Sequence, residues 1–264
     1  MSLEITLLGT GTSTGVPRIA CDCPVCTSPD PRNRRLRAGV RIEVREPGAA
    51  AGGAGRTLLV DTSPDLRQQA LTHDLRRVDA VLFTHAHADH VHGLDDLRVF
   101  NFLQGGAIPL YGSEATLAAV RRSFGYVWDE GQEGGGKPRF ELIPVDGPFE
   151  LAGRRIEPLP VWHGALEVTA YRLGAFALVT DVSAIPEQTM ERLHGLDVLV
   201  LGALRYRPHP THFSVAEAVE VARRLAPRRT VLTHLAHEVD AAAPALELPA
   251  GVELGWDGMR FEVD

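Results

Sequence analysis

The chain has 264 residues, of which 44% are hydrophobic and 23% are charged. This balance is typical of a globular protein and excludes a disordered tail, a collagen-like repeat and a coiled coil. The formal net charge of −7 argues against a protein that binds nucleic acid through many phosphate contacts. Because the sequence shows neither a long apolar run nor a secretory signal, we expect a cytoplasmic protein without a membrane span.

Short apolar runs separated by turn residues predict a series of strands with helices between them. The predicted strands are residues 4–8, 40–45, 57–61, 79–84, 108–111, 140–145, 155–161, 168–173, 176–181, 197–201 and 229–233, with one or two more in 252–262. The predicted helices are residues 64–73, 114–123, 186–194 and 214–225. This order favours two sheets covered by helices in a single α/β domain over residues 1–264.

Turn and cap residues mark the boundaries of these elements. Ser63-Pro64 predicts a helix start with proline in the first turn, and Ser214 with Glu217 predicts a capping box. The glycine-rich residues 46–56 predict a hairpin connection, and residues 129–138 predict a surface insertion.

The densest cluster of polar side chains is residues 84–90, Thr-His-Ala-His-Ala-Asp-His, directly after an apolar run. Imidazole nitrogens and a carboxylate are the ligands that divalent zinc, manganese or iron prefer. The strand fixes the first ligand and the following turn can bring the others around one point. The sequence therefore predicts a metal site built from His85, His87, Asp89 and His90.

More metal ligands are available at later strand ends. His163, Asp181 and His234 each follow an apolar run directly, so each is expected at one edge of a sheet. A site for two metal ions needs these additional ligands.

This series of residues resembles the metallo-β-lactamase fold superfamily, whose earlier aspartate motif is matched by Asp61 after the run 58–60. The resemblance covers about residues 4–237 and implies an αββα sandwich of two mixed β-sheets flanked by helices, with two divalent metal ions between the sheets. It implies one ion on His85, His87 and His163. It implies the other ion on Asp89, His90 and His234, with Asp181 bridging both ions and Asp61 orienting a ligand histidine.

A second cluster contains Cys21, Cys23 and Cys26 within residues 21–26, Cys-Asp-Cys-Pro-Val-Cys. Three tightly spaced cysteines cannot form a disulfide framework, so they indicate either a structural zinc or free, redox-active thiols. A tetrahedral zinc needs a fourth ligand, and His237 is available three residues after His234.

The glycine-rich residues 9–17, the cysteine cluster and residues 30–35 together resemble the phosphoribosyl 1,2-cyclic phosphate phosphodiesterases of phosphonate breakdown. The resemblance implies that the three cysteines and a histidine hold one structural zinc in a loop insertion at about residues 15–39. A protein of pyrroloquinoline quinone synthesis has a similar cysteine cluster, but its relatives depart from the full histidine motif that this chain keeps.

Residues near the expected site could contact substrate. Related phosphodiesterases carry a histidine in the region of His212 that acts as an acid or stabilises a phosphate oxygen, and His212 fits this register better than His209. Arg205 and Arg207 could meet a phosphate or form a solvated surface pair, and Thr12 and Ser13 could touch substrate.

We therefore expect a metal-dependent hydrolase of a small phosphodiester, such as a ribosyl cyclic phosphate, that acts through a hydroxide shared by two zinc or manganese ions. The expected catalytic residues are His212 and Asp89. Alternatives are a lactonase, a thioesterase, an RNA-processing nuclease or a non-catalytic binding protein. Nucleic-acid binding and membrane association are not expected, and a homodimer is left open by base rate alone.

Overall fold

The computed structural model of the protein describes residues 2–45, 55–129, 136–244 and 247–264. Two seven-stranded sheets form its centre. The first sheet has the spatial order β14-β1-β2-β3-β4-β5-β6. Its strands are β1 (Ser2–Gly9), β2 (Gly39–Arg45), β3 (Arg56–Val60), β4 (Ala80–Leu82), β5 (Ile108–Gly112), β6 (Phe140–Pro144) and β14 (Arg260–Val263).

The second sheet has the order β13-β12-β11-β10-β9-β8-β7. Its strands are β7 (Phe149–Leu151), β8 (Arg154–His163), β9 (Leu166–Leu173), β10 (Phe176–Val179), β11 (Val198–Gly202), β12 (Arg229–Thr233) and β13 (Val252–Leu254). Both sheets are mixed. The strands from β3 to β6 and from β10 to β13 pair in parallel, and the remaining pairs are antiparallel.

Helices cover the outer face of each sheet. They are α1 (Leu66–Thr72), α2 (Ala88–Val91), α3 (Arg98–Gln104), α4 (Glu114–Ser123), α5 (Glu187–Arg192) and α6 (Val215–Leu225). The first four pack on the first sheet, and α5 and α6 pack on the second. No helix in the described part of the chain is long and apolar enough to cross a membrane.

Three hydrophobic layers follow from this arrangement. The layer between the sheets contains Ile42 and Leu58 from the first sheet and Phe176 and Val200 from the second. An outer layer lies between each sheet and its helices. Because β10 and β11 are buried on both faces, they are continuous apolar runs rather than alternating ones. The predicted αββα sandwich is confirmed.

The structure refines the sequence-based boundaries. It confirms every predicted strand and helix, and the last predicted region forms β13 and β14. The predicted start of α1 at Ser63-Pro64 was wrong by two residues, because Asp65 is the residue that precedes the first helical residue. The Ser63 hydroxyl instead accepts a hydrogen bond from the Asp65 amide in a turn. The sequence did not predict α2, α3 or β7. The predicted loops 46–56 and 129–138 lie largely outside the described residues.

Candidate metal centre

The carboxyl ends of strands from both sheets bring the predicted ligands to one edge of the sandwich. His85 lies three residues after the end of β4, and His163 is the last residue of β8. Asp181 and His234 follow β10 and β12. Because parallel strands in one sheet end at a common edge, residues that are far apart in sequence meet there.

One cluster of imidazoles, the first ligand group, consists of His85, His87 and His163. Their ligand atoms lie within 4.8 Å of one another. His85 and His163 are buried, whereas His87 is exposed, so the group opens to solvent on one side. Three imidazoles around one open position are a ligand set for a catalytic zinc or a similar divalent ion.

The second ligand group consists of Asp89, His90, Asp181 and His234, whose ligand atoms also lie within 4.8 Å of one another. The Nε2 atoms of His90 and His234 each lie 3.3 Å from Oδ1 of Asp181. Oδ2 of Asp89 lies 3.3 Å and 3.5 Å from the same two nitrogens. Two nitrogens and two carboxylate oxygens therefore converge on one point.

The Asp181 carboxylate joins the two groups. Its Oδ1 belongs to the second ligand group, while its Oδ2 lies 3.9 Å from Nε2 of His85 in the first. A carboxylate that turns one oxygen to each group can bridge two cations. This is the arrangement that the resemblance implied for Asp181.

Outer hydrogen bonds fix the orientation of three of the histidines. Asp61 accepts from Nδ1 of His90 at 2.7 Å and from the Thr84 amide and hydroxyl at 2.8 Å each. The Thr84 hydroxyl also lies 3.0 Å from Nδ1 of His85. Nδ1 of His163 lies 2.6 Å from the Thr211 carbonyl oxygen. In each case Nε2 is left free for a cation.

A divalent cation fits this donor set. The Nε2 atoms of His85, His90 and His234 are buried and have no hydrogen-bond partner. Buried polar atoms without partners are costly and rare, and here three of them point into one small volume beside two carboxylates. A cation in each ligand group would satisfy all of them.

The electrostatics of the protein chain also favour positive charge at this point. Burial opposes the ionised form of Asp89, but hydrogen bonds from His234 and His90 outweigh burial and lower the pKa of its carboxyl group. Burial likewise opposes a charged His90, yet the carboxylates of Asp181 and Asp61 raise its pKa well above the ordinary value. The carboxylates therefore stay ionised and attract a cation.

His212 lies beside both ligand groups. Its Nδ1 is 4.0 Å from Oδ2 of Asp181, and its ring centroid is 4.4 Å from that of His163 and 5.0 Å from that of His234. Burial and the neighbouring His234 lower the pKa of His212 to about 3, so its imidazole is neutral at pH 7. His209 is further out, with its ring centroid 5.3 Å from that of His212.

The two arginines that could meet a phosphate are engaged in their own loop. Arg205 donates to the carbonyl oxygens of Arg207 and Pro208, and Arg207 pairs with Glu238 at 2.6 Å. These bonds favour a structural role for both arginines. Thr12 is buried beside Leu235, the residue after His234, and its amide donates a hydrogen bond to the Leu235 carbonyl oxygen. Ser13 is exposed.

The cysteine group, Cys21, Cys23, Cys26 and His237, forms a separate cluster whose ligand atoms lie within 4.8 Å of one another. The Sγ atoms of Cys21 and Cys23 lie 3.4 Å and 3.3 Å from Nδ1 of His237. This hydrogen bond from His237 lowers the pKa of Cys23 to about 6, which favours a thiolate. Three sulfurs and one nitrogen at these separations fit a tetrahedral zinc.

Sequence reasoning missed the groups that orient the ligands, apart from Asp61. Thr84 could have been noticed because it directly precedes the first ligand. The Thr211 carbonyl carries no sequence signal, since every residue has a carbonyl and only the fold brings this one to His163.

Comparison with known proteins identifies the class of this fold and site. The family model described as the β-lactamase superfamily domain matches residues 56–235, so the chain belongs to that superfamily. Its fold is the metallo-β-lactamase fold, which implies divalent metal binding. A crystal structure of a new diphosphatase from the PhnP family is 40% identical, with a TM-score of 0.89, and covers 99% of this chain and 98% of that one.

Two curated relatives carry other names. The octanoyltransferase of Porphyromonas gingivalis is 37% identical over 266 residues, which cover 99% of this chain and 52% of that protein. The chain therefore spans about half the length of this relative. The coenzyme PQQ synthesis protein B of Methylobacterium nodulans is 35% identical and matches 75% of this chain and 72% of its own length.

Proposed function

We propose that this chain is a dinuclear metal-dependent phosphodiesterase that hydrolyses a small phosphodiester, with a ribosyl cyclic phosphate as the expected substrate. The observation that carries the proposal is the Asp181 carboxylate, which turns one oxygen to each ligand group beside His212. The likeness to a PhnP-family structure supports the same chemistry at phosphorus.

The geometry supports the ligand assignment that the resemblance implied. His85, His87 and His163 would hold one divalent ion, zinc or manganese, and Asp89, His90 and His234 would hold the other, with Asp181 shared. Bound cations in such a site activate a water molecule as the nucleophile and neutralise charge on phosphoryl oxygens. The cysteine group would hold one structural zinc, which requires reduced thiols and suits a cytoplasmic location.

In this proposal, His212 assists the departure of the leaving group. Hydrolysis breaks a phosphorus–oxygen bond, and the alkoxide that leaves must gain a proton. A ring N–H of His212 can donate a hydrogen bond to the leaving oxygen, and a bound phosphate anion favours the protonated ring, which can give that oxygen its proton.

While it is neutral, the His212 imidazole still carries one ring N–H, which can hydrogen-bond to the leaving oxygen and stabilise its charge while a water molecule supplies the proton. General acid–base groups of this kind contribute about 10²- to 10⁴-fold to a hydrolysis rate. Asp89, the other expected catalytic residue, belongs to the second ligand group, where its ionised carboxylate would act as a cation ligand.

Hydrolysis of a diphosphate linkage is the second candidate function. It is favoured by the 40% identical PhnP-family structure, which is named a diphosphatase. The same cation pair can act on a phosphorus–oxygen–phosphorus linkage, because the nucleophile and the charge on phosphorus are alike. Octanoyl transfer belongs to a relative about twice as long, so for this chain it is only a reason to include an acyl substrate in the test.

The test compares four substrates with one preparation of known metal content. They are bis(p-nitrophenyl) phosphate, a ribosyl cyclic phosphate, diadenosine diphosphate and an octanoyl thioester. His212→Ala is run beside His209→Ala, a matched control from the same loop that is not part of the His163, Asp181 and His212 cluster. We expect His212→Ala to lose about 100-fold or more in diester turnover with unchanged metal content, and His209→Ala to stay within about threefold.

The outcomes separate the candidate functions. Turnover of both diesters supports the proposal, and turnover of the diphosphate alone transfers it to the second candidate. Cleavage of the thioester alone refutes a phosphodiesterase. Equal losses in the two histidine variants would refute the specific role of His212.

A further inference from the structure

His234 differs from the other buried ligand histidines in the way it is oriented. His85, His90 and His163 each have a hydrogen-bonding group within 3.0 Å of Nδ1, whereas Nδ1 of His234 is buried and has no partner in the described residues. A ligand imidazole normally depends on such a partner for its orientation. Another part of the structure must therefore fix His234.

The backbone on the carboxyl side of His234 supplies this restraint. The Leu235 amide donates to the Thr10 carbonyl at 2.8 Å, and the Thr12 amide donates to the Leu235 carbonyl at 3.2 Å. Leu235 is thus held on both sides by residues 10–12, which we call the clamp segment. His234 itself has a φ of +60°, so its side-chain direction depends on this local backbone geometry.

The clamp segment is itself anchored by Asp257, from the turn between β13 and β14. Oδ1 of Asp257 accepts from the Thr10 amide at 2.9 Å and from the Thr10 hydroxyl at 2.7 Å. Oδ2 accepts from the Leu36 amide at 2.7 Å. Gly11 closes the arrangement by donating to the Leu36 carbonyl at 2.8 Å.

The anchor is tightly built. A Cβ atom at Gly11 would lie 2.8 Å from the Arg35 carbonyl oxygen, so the two backbones approach more closely than a side chain allows. The Asp257 carboxylate takes one backbone amide on each oxygen, and it is partly buried beneath the loop. Nothing in the proposed reaction uses this carboxylate directly.

We infer that Asp257 is a positioning residue for the second ligand group: it anchors the clamp segment, and the clamp segment sets the orientation of His234 through Leu235. The inference rests on the proposed function, because it assumes that His234 binds a cation. It gives the C-terminal β13–β14 turn a role in cation binding, although Asp257 is no ligand.

Asp257→Asn tests the inference. The amide keeps the size of the side chain but places an NH₂ group against the amide of either Thr10 or Leu36, where two donors then face each other. We expect the affinity for one of the two active-site cations to fall about tenfold or more, as when a partner of a ligand is lost. The probe is Co²⁺ titrated against a competing chelator, because its absorption distinguishes sulfur ligands from nitrogen and oxygen ligands.

Asp79→Asn is the matched control. Asp79 also accepts a backbone amide, from Thr57 at 2.8 Å, but it directly precedes β4, at the opposite end from the ligands. We expect this variant to lower stability without changing either active-site affinity by more than twofold. A second variant, Thr10→Val, removes only the hydroxyl bond to Asp257 and should weaken the same cation about threefold.

The results distinguish failure of the inference from failure of the proposed function. If the unaltered chain binds no Co²⁺ beyond the cysteine group, the proposed function fails. If it binds two further ions and both Asp257→Asn and Thr10→Val keep that affinity within twofold, the inference alone is overturned. Equal weakening in Asp79→Asn would also overturn it, because the effect would then follow from lost stability. Should Asp257→Asn fail to fold, Thr10→Val decides between these outcomes.

Discussion

Replacing Asp61 with asparagine tests how the second ligand group is oriented. Asp61 has a φ of +63°, a conformation that asparagine also tolerates, so the backbone should be retained. Its carboxylate can only accept hydrogen bonds, which places a proton on Nδ1 of His90 at 2.7 Å. Nε2 of His90 is then free to face Asp89 and Asp181.

Asparagine changes this pattern. If its oxygen stays opposite the Thr84 amide, its NH₂ group faces Nδ1 of His90 and donates to it. The His90 proton then moves to Nε2, in the direction where a cation would bind. Loss of such an outer partner typically weakens metal binding 10- to 100-fold, which corresponds to about 1.4–2.8 kcal/mol.

The assay is an equilibrium titration of Zn²⁺ against a chelator, with circular dichroism to confirm the fold. Thr84→Ser is the control, because it keeps the hydroxyl that bonds Asp61 at 2.8 Å and should leave the affinity within twofold. A folded Asp61→Asn variant that binds both active-site ions with unchanged affinity would refute the orienting role of Asp61.

Two further predictions concern regions away from that carboxylate. Cys23→Ser should remove about one zinc per chain and lower the melting temperature by several degrees, since structural zinc stabilises the fold; an unchanged zinc content would contradict this. Burial opposes the charge of Asp79, but hydrogen bonds from Arg77 and other donors outweigh burial and lower the pKa of its carboxyl group. The ionised carboxylate should therefore stabilise the fold above about pH 4, and this contribution should be lost as the pH falls further. The free energy of unfolding of Asp79→Asn, measured with denaturant, should therefore be about 1–3 kcal/mol lower than that of the unaltered chain at pH 7. The difference should be smaller at pH 3.

The strands were predictable because their burial follows directly from the sheet geometry. Strands buried on both faces, such as β10 and β11, are continuous apolar runs bounded by turn residues. The ligands were predictable for the same reason, since His85, Asp181 and His234 come soon after such runs. The sequence alone therefore indicated both where the strands end and which ligand residues follow them.

The helix α3 could not be predicted in this way. Its apolar residues Val99, Phe102 and Leu103 are exposed, while Phe100 is buried against the first sheet. Apolar residues on several faces remove the periodic pattern on which helix prediction depends. The strand β7 is only three residues long and half-buried, so it offers too few positions for alternation to be recognised.

The groups that orient the ligand residues could not be predicted for a different reason. The Thr211 carbonyl that holds His163 lies 48 residues away in sequence, and Asp257 lies 247 residues from Thr10. Such pairs are brought together only by the tertiary fold. A single sequence contains no local pattern that connects them.

Backbone conformation gives a further link between the fold and the site. Asp61, Asp181 and His234 all have positive φ angles, of +63°, +48° and +60°, and each follows the end of a strand. This conformation costs a residue other than glycine about 1–2 kcal/mol, although aspartate and histidine adopt it more often than most. The surrounding structure maintains it at each position: Asp61 accepts three hydrogen bonds, Asp181 lies between imidazoles, and the residue after His234 is held on both sides. Strain at three strand ends whose polar side chains turn towards the cluster points to a requirement of the site, because turns at these ends could otherwise use glycine at no such cost.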